Sequence, residues 1–158
     1  MFLILLLLIT VLYNSYVIYK YKKIPVSLSE TSYMFGGIKR YFFTLYCLSV
    51  GAITLPYLFR LNLGDFEFIP FLFITGLLFA GFSPMFKQSI DREVHYTGAI
   101  ISFLAFITFM FLYFPYYLII LYSILYVMLI CWKRNCYVYF AEILSILMLN
   151  IWLLCNIQ

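Results

Sequence analysis

The sequence predicts an all-α protein, a polytopic transmembrane helix bundle of six spans with both termini on the non-cytoplasmic side. Three observations carry that expectation. The chain is 66% hydrophobic and only 10% charged, whereas a soluble domain is roughly half apolar and a quarter charged; ten basic and six acidic side chains cannot give a globule a solvated surface. The apolar residues fall into runs of about 20, the length a helix needs to cross a hydrocarbon core. When successive loops are assigned to alternate sides, nine of the ten Lys and Arg residues share one side.

Six apolar runs are expected as helices at 2–19, 41–61, 68–86, 96–114, 116–132 and 137–155, forming one transmembrane domain over 1–158. The first has no basic residues ahead of its apolar core, so it reads as an uncleaved membrane helix and not as a secretory signal. It leads into KYKKIPVSLSETSYMFGGIKR, the most patterned loop. There Pro25 stops the basic tail, Ser27 or Ser29 caps a new helix, and Gly36 and Gly37 mark its end. A short interfacial helix over about 27–35 follows, with Ser27 and Glu30 spaced as a capping box and lysines suited to anionic headgroups.

The loop LNLGDFEF places Asp65 and Glu67 at the start of the third span, where acidic side chains favour the helix dipole. Pro84 lies near the far end of that span and should kink or terminate it, freeing backbone carbonyls for a polar loop. Gly76, Ala80 and Gly81, with Gly98 and Ser102 in the fourth span, give the small-residue spacing that lets helices approach closely in lipid. Pro115 in LYFPYY divides the long apolar stretch into the fourth and fifth spans as a tight hairpin. A single kinked helix there is the alternative and would give five spans. It would also move Lys133 and Arg134 away from the other basic residues.

Short loops rich in Lys and Arg stay in the cytoplasm, so Lys20, Lys22, Lys23, Lys39, Arg40, Lys87, Arg92, Lys133 and Arg134 mark the cytoplasmic face, against Arg60 alone outside. Tyr19, Tyr41, Tyr96, Tyr116, Tyr117, Tyr137 and Trp132 sit at helix edges, as an interfacial aromatic belt requires. The expected location is the inner (cytoplasmic) membrane. Its partners are then the lipid bilayer and either a second copy or another membrane protein. Nucleic-acid motifs are absent. Cys47, Cys131, Cys136 and Cys155 lie in or beside apolar runs without metal-ligand spacing, and read as reduced packing residues.

Glu142, five residues into the last span, is the strongest anomaly, because a charge at the centre of an isolated spanning helix costs about 2.5–3.5 kcal/mol. It reads either as an ion, proton or substrate ligand, or as a carboxyl held near the headgroups by a lysine or backbone donors. At about 1.5 Å per residue, Asn14, Ser102 and Glu142 share a level some 7–9 Å inside the cytoplasmic interface. A polar layer follows, open to the first and third loops if the helices adjoin; the plainer alternative has Asn14 bonding across one interface.

Asp91 and His95 are four apart and share a helical face, a spacing that serves acid–base work or metal ligation. The structural alternative makes Ser89 or Asp91 a helix cap and His95 an interfacial side chain. With one histidine, a zinc site would need Asp91, Glu93 or Glu142, an uncommon set. No cofactor is predicted, and a divalent metal stays a minor option. The candidate catalytic residues are therefore His95, Asp91 and Glu142, with Ser29, Asn14, Lys87 and Ser102 as candidate substrate-binding residues.

IPVSLSETSYMF, GFSPMFK, VHYTGA and the closing AEILSILMLNIWL together resemble a group of small six-helix membrane proteins of Bacteroidetes bacteria and their phages. The resemblance implies a bacterial or phage origin and no activity. Ser, Asp and His near one membrane face are also similar to ceramidase-like membrane hydrolases, but that family wants a three-histidine zinc site and only His95 is present. The expected function is a small accessory or interaction protein with a cytoplasm-facing polar cluster. A membrane-embedded hydrolase acting on a lipid or membrane-proximal substrate is the main alternative, and a small channel or carrier the second.

Overall fold

The computed structural model describes residues 2–61 and 63–156, and these are all-helical, without strands. Seven helices follow one another: α1 (Phe2–Tyr21), α2 (Glu30–Phe35), α3 (Tyr41–Leu58), α4 (Phe68–Phe82), α5 (Ser89–Tyr113), α6 (Tyr116–Trp132) and α7 (Tyr137–Asn156). Short 3₁₀ turns at Gly37–Arg40, Gly64–Phe66 and Arg134–Cys136 lead into α3, α4 and α7. Five of these helical segments are long and apolar enough to cross a membrane, and α6 is a shorter apolar helix.

Contacts at the helix ends define two ends of the bundle. At one, segment 22–40 meets the 83–88 loop, where Ser32 Oγ donates to the Pro84 carbonyl at 3.0 Å and the Lys87 N–H donates to the Tyr33 hydroxyl at 2.7 Å. The first turn of α7 joins them, its Tyr139 N–H donating to the Val26 carbonyl at 3.1 Å. At the other end the Tyr113 hydroxyl donates to the Leu63 carbonyl at 2.9 Å, and Trp152 stacks on Phe114 beside the Pro115 corner. The three basic loops therefore gather at one end, as the alternation of charge requires.

Three span boundaries differ from expectation by three residues or more. α3 ends at Leu58, short of 61. α4 stops at Phe82, short of 86, because Pro84 has no amide to continue the ladder. α5 begins at Ser89, seven residues before Tyr96, so Asp91 and His95 lie on a helix and the true loop is only 83–88. The hairpin at Pro115 has the short connection expected of it, but α5 and α6 splay apart from the corner; α5 packs on α4, and α6 on α7.

The core falls into two apolar clusters. One, with Leu58, Phe73, Phe106, Phe109 and Trp152, fills the half of the bundle away from the basic loops. The other, with Leu6, Leu28, Phe43, Val50 and Tyr139, lies beneath those loops. Asn150 is fully buried and donates Nδ2 to the Ile146 carbonyl of its own helix at 2.8 Å, a packing role. The aromatic edge residues Tyr19, Tyr41, Tyr96, Tyr116, Tyr117, Trp132 and Tyr137 are all exposed, as a belt facing the bilayer interface would be.

The small residues do what their spacing predicts. A Cβ on Gly76 would stand 2.6 Å from both the Gly98 carbonyl oxygen and the Ser102 amide nitrogen, and one on Gly98 would stand 2.7 Å from the Gly76 oxygen. Those are backbone atoms of the opposing helix and have no way to turn aside. Gly76→Ala should therefore destabilise the protein by about 1–3 kcal/mol, the range for overpacking, as read by thermal unfolding in mild detergent. Gly51→Ala meets only side chains, Ile74 at 3.3 Å and Leu78 at 3.5 Å, and should lose clearly less; equal losses would contradict the close α4/α5 crossing.

Candidate functional site

Pro84 builds the first half of the site. A residue at that position would normally donate its amide to the carbonyl four residues earlier, so proline leaves the Ala80 oxygen unpaired. His95, on the facing helix α5, takes it, with Nδ1 2.9 Å from the Ala80 oxygen. A carbonyl accepts only, so Nδ1 carries the proton, and in the neutral ring Nε2 is the acceptor. The next carbonyl, Gly81, accepts from Thr44 Oγ1 of α3 at 2.7 Å. Phe86 stacks on the imidazole with ring centroids 4.6 Å apart and helps bury it.

Segment 22–35 builds the second half. Lys22 adopts φ 49° just past α1, the left-handed turn that ends many helices, and the chain bends back into the bundle. Pro25, Leu28, Ser29, Thr31 and Ser32 are all buried there. The helix expected over 27–35 is Glu30–Phe35, and its Thr31, Ser32 and Phe35 are buried against the bundle, so that the segment plugs this end. Phe35 packs among Tyr13, Tyr16, Tyr21 and Phe42. Half of the capping box is present, with Ser27 Oγ accepting the Glu30 N–H at 3.2 Å. The Glu30 carboxylate turns away to Lys87 Nζ, 3.2 Å distant.

The plug's purpose is visible at Leu28, whose N–H donates to Glu142 Oε2 at 2.6 Å. Glu142 is held by a backbone donor, one of the two arrangements its position in α7 suggests. Glu142 borders a cavity of about 70 Å³ together with Leu28, Cys47, His95, Ser102 and Ser145, the remaining walls being aromatic and aliphatic in equal part. That is room for a few water molecules, each needing roughly 10–15 Å³ of probe-occupied space. On its other side Glu142 reaches a groove of about 330 Å³ that runs between α5 and α7 and is edged by Tyr126 of α6. Ala99, Phe103 and Glu142 line both spaces.

Of the candidate residues, His95, Glu142 and Ser102 are brought together around this cavity. Asp91 is not among them: it is half-buried, stands outside the cavity lining, and leaves the imidazole to the Ala80 carbonyl. Asn14 belongs to an adjoining network, donating Nδ2 to the Thr10 carbonyl at 2.7 Å and accepting the Tyr139 hydroxyl at 2.9 Å. Tyr46 extends it to Thr10 Oγ1 at 3.3 Å, joining α3 to α1 and α7. Ser29 is buried in the plug with its hydroxyl 3.0 Å from that of Ser27, and Lys87 is exposed above the Tyr33 ring. Among the described residues no group of three His, Cys, Asp or Glu side chains is placed to hold a metal ion; Glu93 lies on a separate shallow groove with Phe79 and Thr97.

Four participants were missed from sequence. Ser145 was legible, three residues after Glu142 and so on its helical face, and the Ala80 carbonyl was legible as the partner Pro84 removes. Cys47 and the Leu28 amide carried no signal, since both depend on tertiary contact. No family model, curated protein or solved structure matches the chain.

Removing the Glu142 carboxyl leaves the Leu28 N–H without its partner, at about 1–3 kcal/mol for a buried group. Glu142→Leu should accordingly destabilise the protein by that amount in detergent unfolding. Glu142→Gln, whose amide oxygen still accepts, should lose less than half as much. Equal tolerance of both would contradict the anchoring role.

Proposed function

We propose that the chain is a six-span protein of the cytoplasmic membrane, its basic end in the cytoplasm and both termini outside. It serves there as a small accessory or interaction protein whose working feature is the polar cluster beneath the plug. The observation that carries the reading is the Leu28–Glu142 bond, which uses an ordered loop to close over the Glu142 carboxyl of α7. Support for α6 as a crossing is twofold. Its 17 residues meet the lower limit of about 17 for a span. It also returns Lys133 and Arg134 to the end where the other basic loops lie, next to Ile24 and Val26.

A cavity of about 70 Å³ suits bound water or a small head group, and not an enclosed lipid substrate, which favours binding over turnover. The hydrolase reading keeps one observation in its favour: His95 and Glu142 share that cavity with Ser102, and a carbonyl orients the imidazole. A carrier or channel has less support, because Leu58, Phe73, Phe106 and Leu149 fill the bundle beyond the cavity.

Photo-crosslinking from Ile38 and Ile90, both strongly exposed at the basic end, tests the reading in intact membranes. A discrete adduct with a membrane protein or a second copy is expected. In the same membranes an impermeant thiol reagent should reach Lys22→Cys only from the cytoplasmic side, and Arg60→Cys only from outside. The reading fails if labelling is reversed, or if no adduct forms and purified protein instead releases fatty acid from lipid vesicles in a manner lost with His95→Gln.

A further inference from the structure

We infer that the groove between α5, α6 and α7 takes the chain of a membrane amphiphile whose polar head donates a hydrogen bond to the Glu142 carboxyl. This rests on the proposed reading of a binding protein within the membrane and names its ligand class. At about 330 Å³ the groove falls within the range of small-molecule sites, roughly 300–1,000 Å³, as the inner cavity does not. Its walls are Ile100, Leu104, Val138 and the rings of Tyr96, Tyr126 and Tyr137, a surface that matches an acyl chain. It lies on the outer faces of helices long and apolar enough to span a membrane, so its mouth meets lipid and its occupant arrives from the bilayer.

The gap is built into the fold. Gly76 and Gly98 draw α5 onto α4, while α7 packs on α6 and α1, so α5 and α7 stand apart after the Pro115 corner. Glu142 adds a carboxyl to a groove whose other polar groups are the hydroxyls of Tyr96, Tyr126 and Tyr137. Leu28 occupies Glu142 Oε2, and the other carboxyl oxygen has no partner among the described residues. Water in the inner cavity can meet that carboxyl from one side; on the groove side lipid offers an oxygen no donor, and an unsatisfied polar group there costs several kcal/mol. An amine or hydroxyl head group supplies the donor, whereas an ionised carboxylate head offers acceptors alone. Glu142 is the sixth residue of α7, about 7–9 Å from the start of that helix. The head would thus sit just below headgroup level with its chain along α5.

Native mass spectrometry of the full-length protein in mild detergent tests this with a long-chain primary amine, the alcohol of the same chain and the carboxylate of the same chain. One molecule of amine, of alcohol or of each should be retained per protein. The carboxylate should bind at least about tenfold more weakly, the worth of one hydrogen bond to a charged group. Retention of the amine alone identifies a cationic head, and of the alcohol alone a neutral one. Glu142→Gln keeps an acceptor for Leu28 but turns an N–H group towards the groove, and should lower amine retention by a similar factor. Ala99→Phe fills the groove and should lower retention of every donor probe. Equal retention of all three probes, retention of none, or wild-type retention in both variants overturns the proposal. A crosslinked partner found alongside that negative result would leave the accessory reading standing and remove only its ligand.

Discussion

Backbone amides and carbonyls at membrane depth find no partner in lipid, so each must be satisfied within the protein. Pro84 makes that constraint acute by ending α4 inside the bundle and leaving the Ala80, Gly81 and Pro84 carbonyls free of it. Three other elements answer it: His95 from α5, Thr44 from α3 and Ser32 from α2. Segment 24–29 is subject to the same constraint and resolves it against α7, with Val26 accepting from Tyr139 and Leu28 donating to Glu142. Each such bond contributes a net ~0.5–1.5 kcal/mol, and a partner left buried and unpaired costs ~1–3. The asymmetry, more than the sum, makes the arrangement specific.

That view ranks the polar contacts at the basic end. The exposed Lys87–Glu30 pair, 3.2 Å apart, belongs to a class worth about 0–1 kcal/mol and serves mainly to align two loops. Buried hydroxyls matter more, because no water replaces them. Tyr13 to Thr31 at 2.6 Å and Tyr139 to Asn14 at 2.9 Å bind the plug and α7 to α1. The rigid frame they form surrounds the cavity at Glu142 without filling it.

Much of the fold was legible because it depends on local rules. Run lengths located the helices, Pro115 divided the long apolar stretch, and Gly76 and Gly98 announced the close crossing of α4 and α5. Pro84 foretold free carbonyls, though not which side chains would take them. The site was legible in part: a shared depth linked Ser102 with Glu142, and Asn14 at the same level takes the alternative its position offered, bonding across one interface to Tyr139 of α7 beside the cavity. Asp91 and His95 were paired by spacing, yet the imidazole turned to Ala80, a neighbour that only tertiary packing provides. Ser27, Glu30 and flanking lysines give a short helix at a membrane surface and one packed into the bundle the same local signature. The Leu28–Glu142 contact that distinguishes them spans 114 positions and lies beyond any local pattern.

The central claim is that segment 24–35 folds inward and is held there by Glu142. Cysteine accessibility along it, in a chain whose four native cysteines have been replaced, measures this directly with a small water-soluble maleimide. Cysteines at Val26 and Gly36, both exposed, should label rapidly, and those at Leu28, Thr31 and Ser32 should stay protected until the membrane is dissolved. Labelling of Leu28, Thr31 and Ser32 as fast as Val26 would place the segment on the membrane surface and contradict the account.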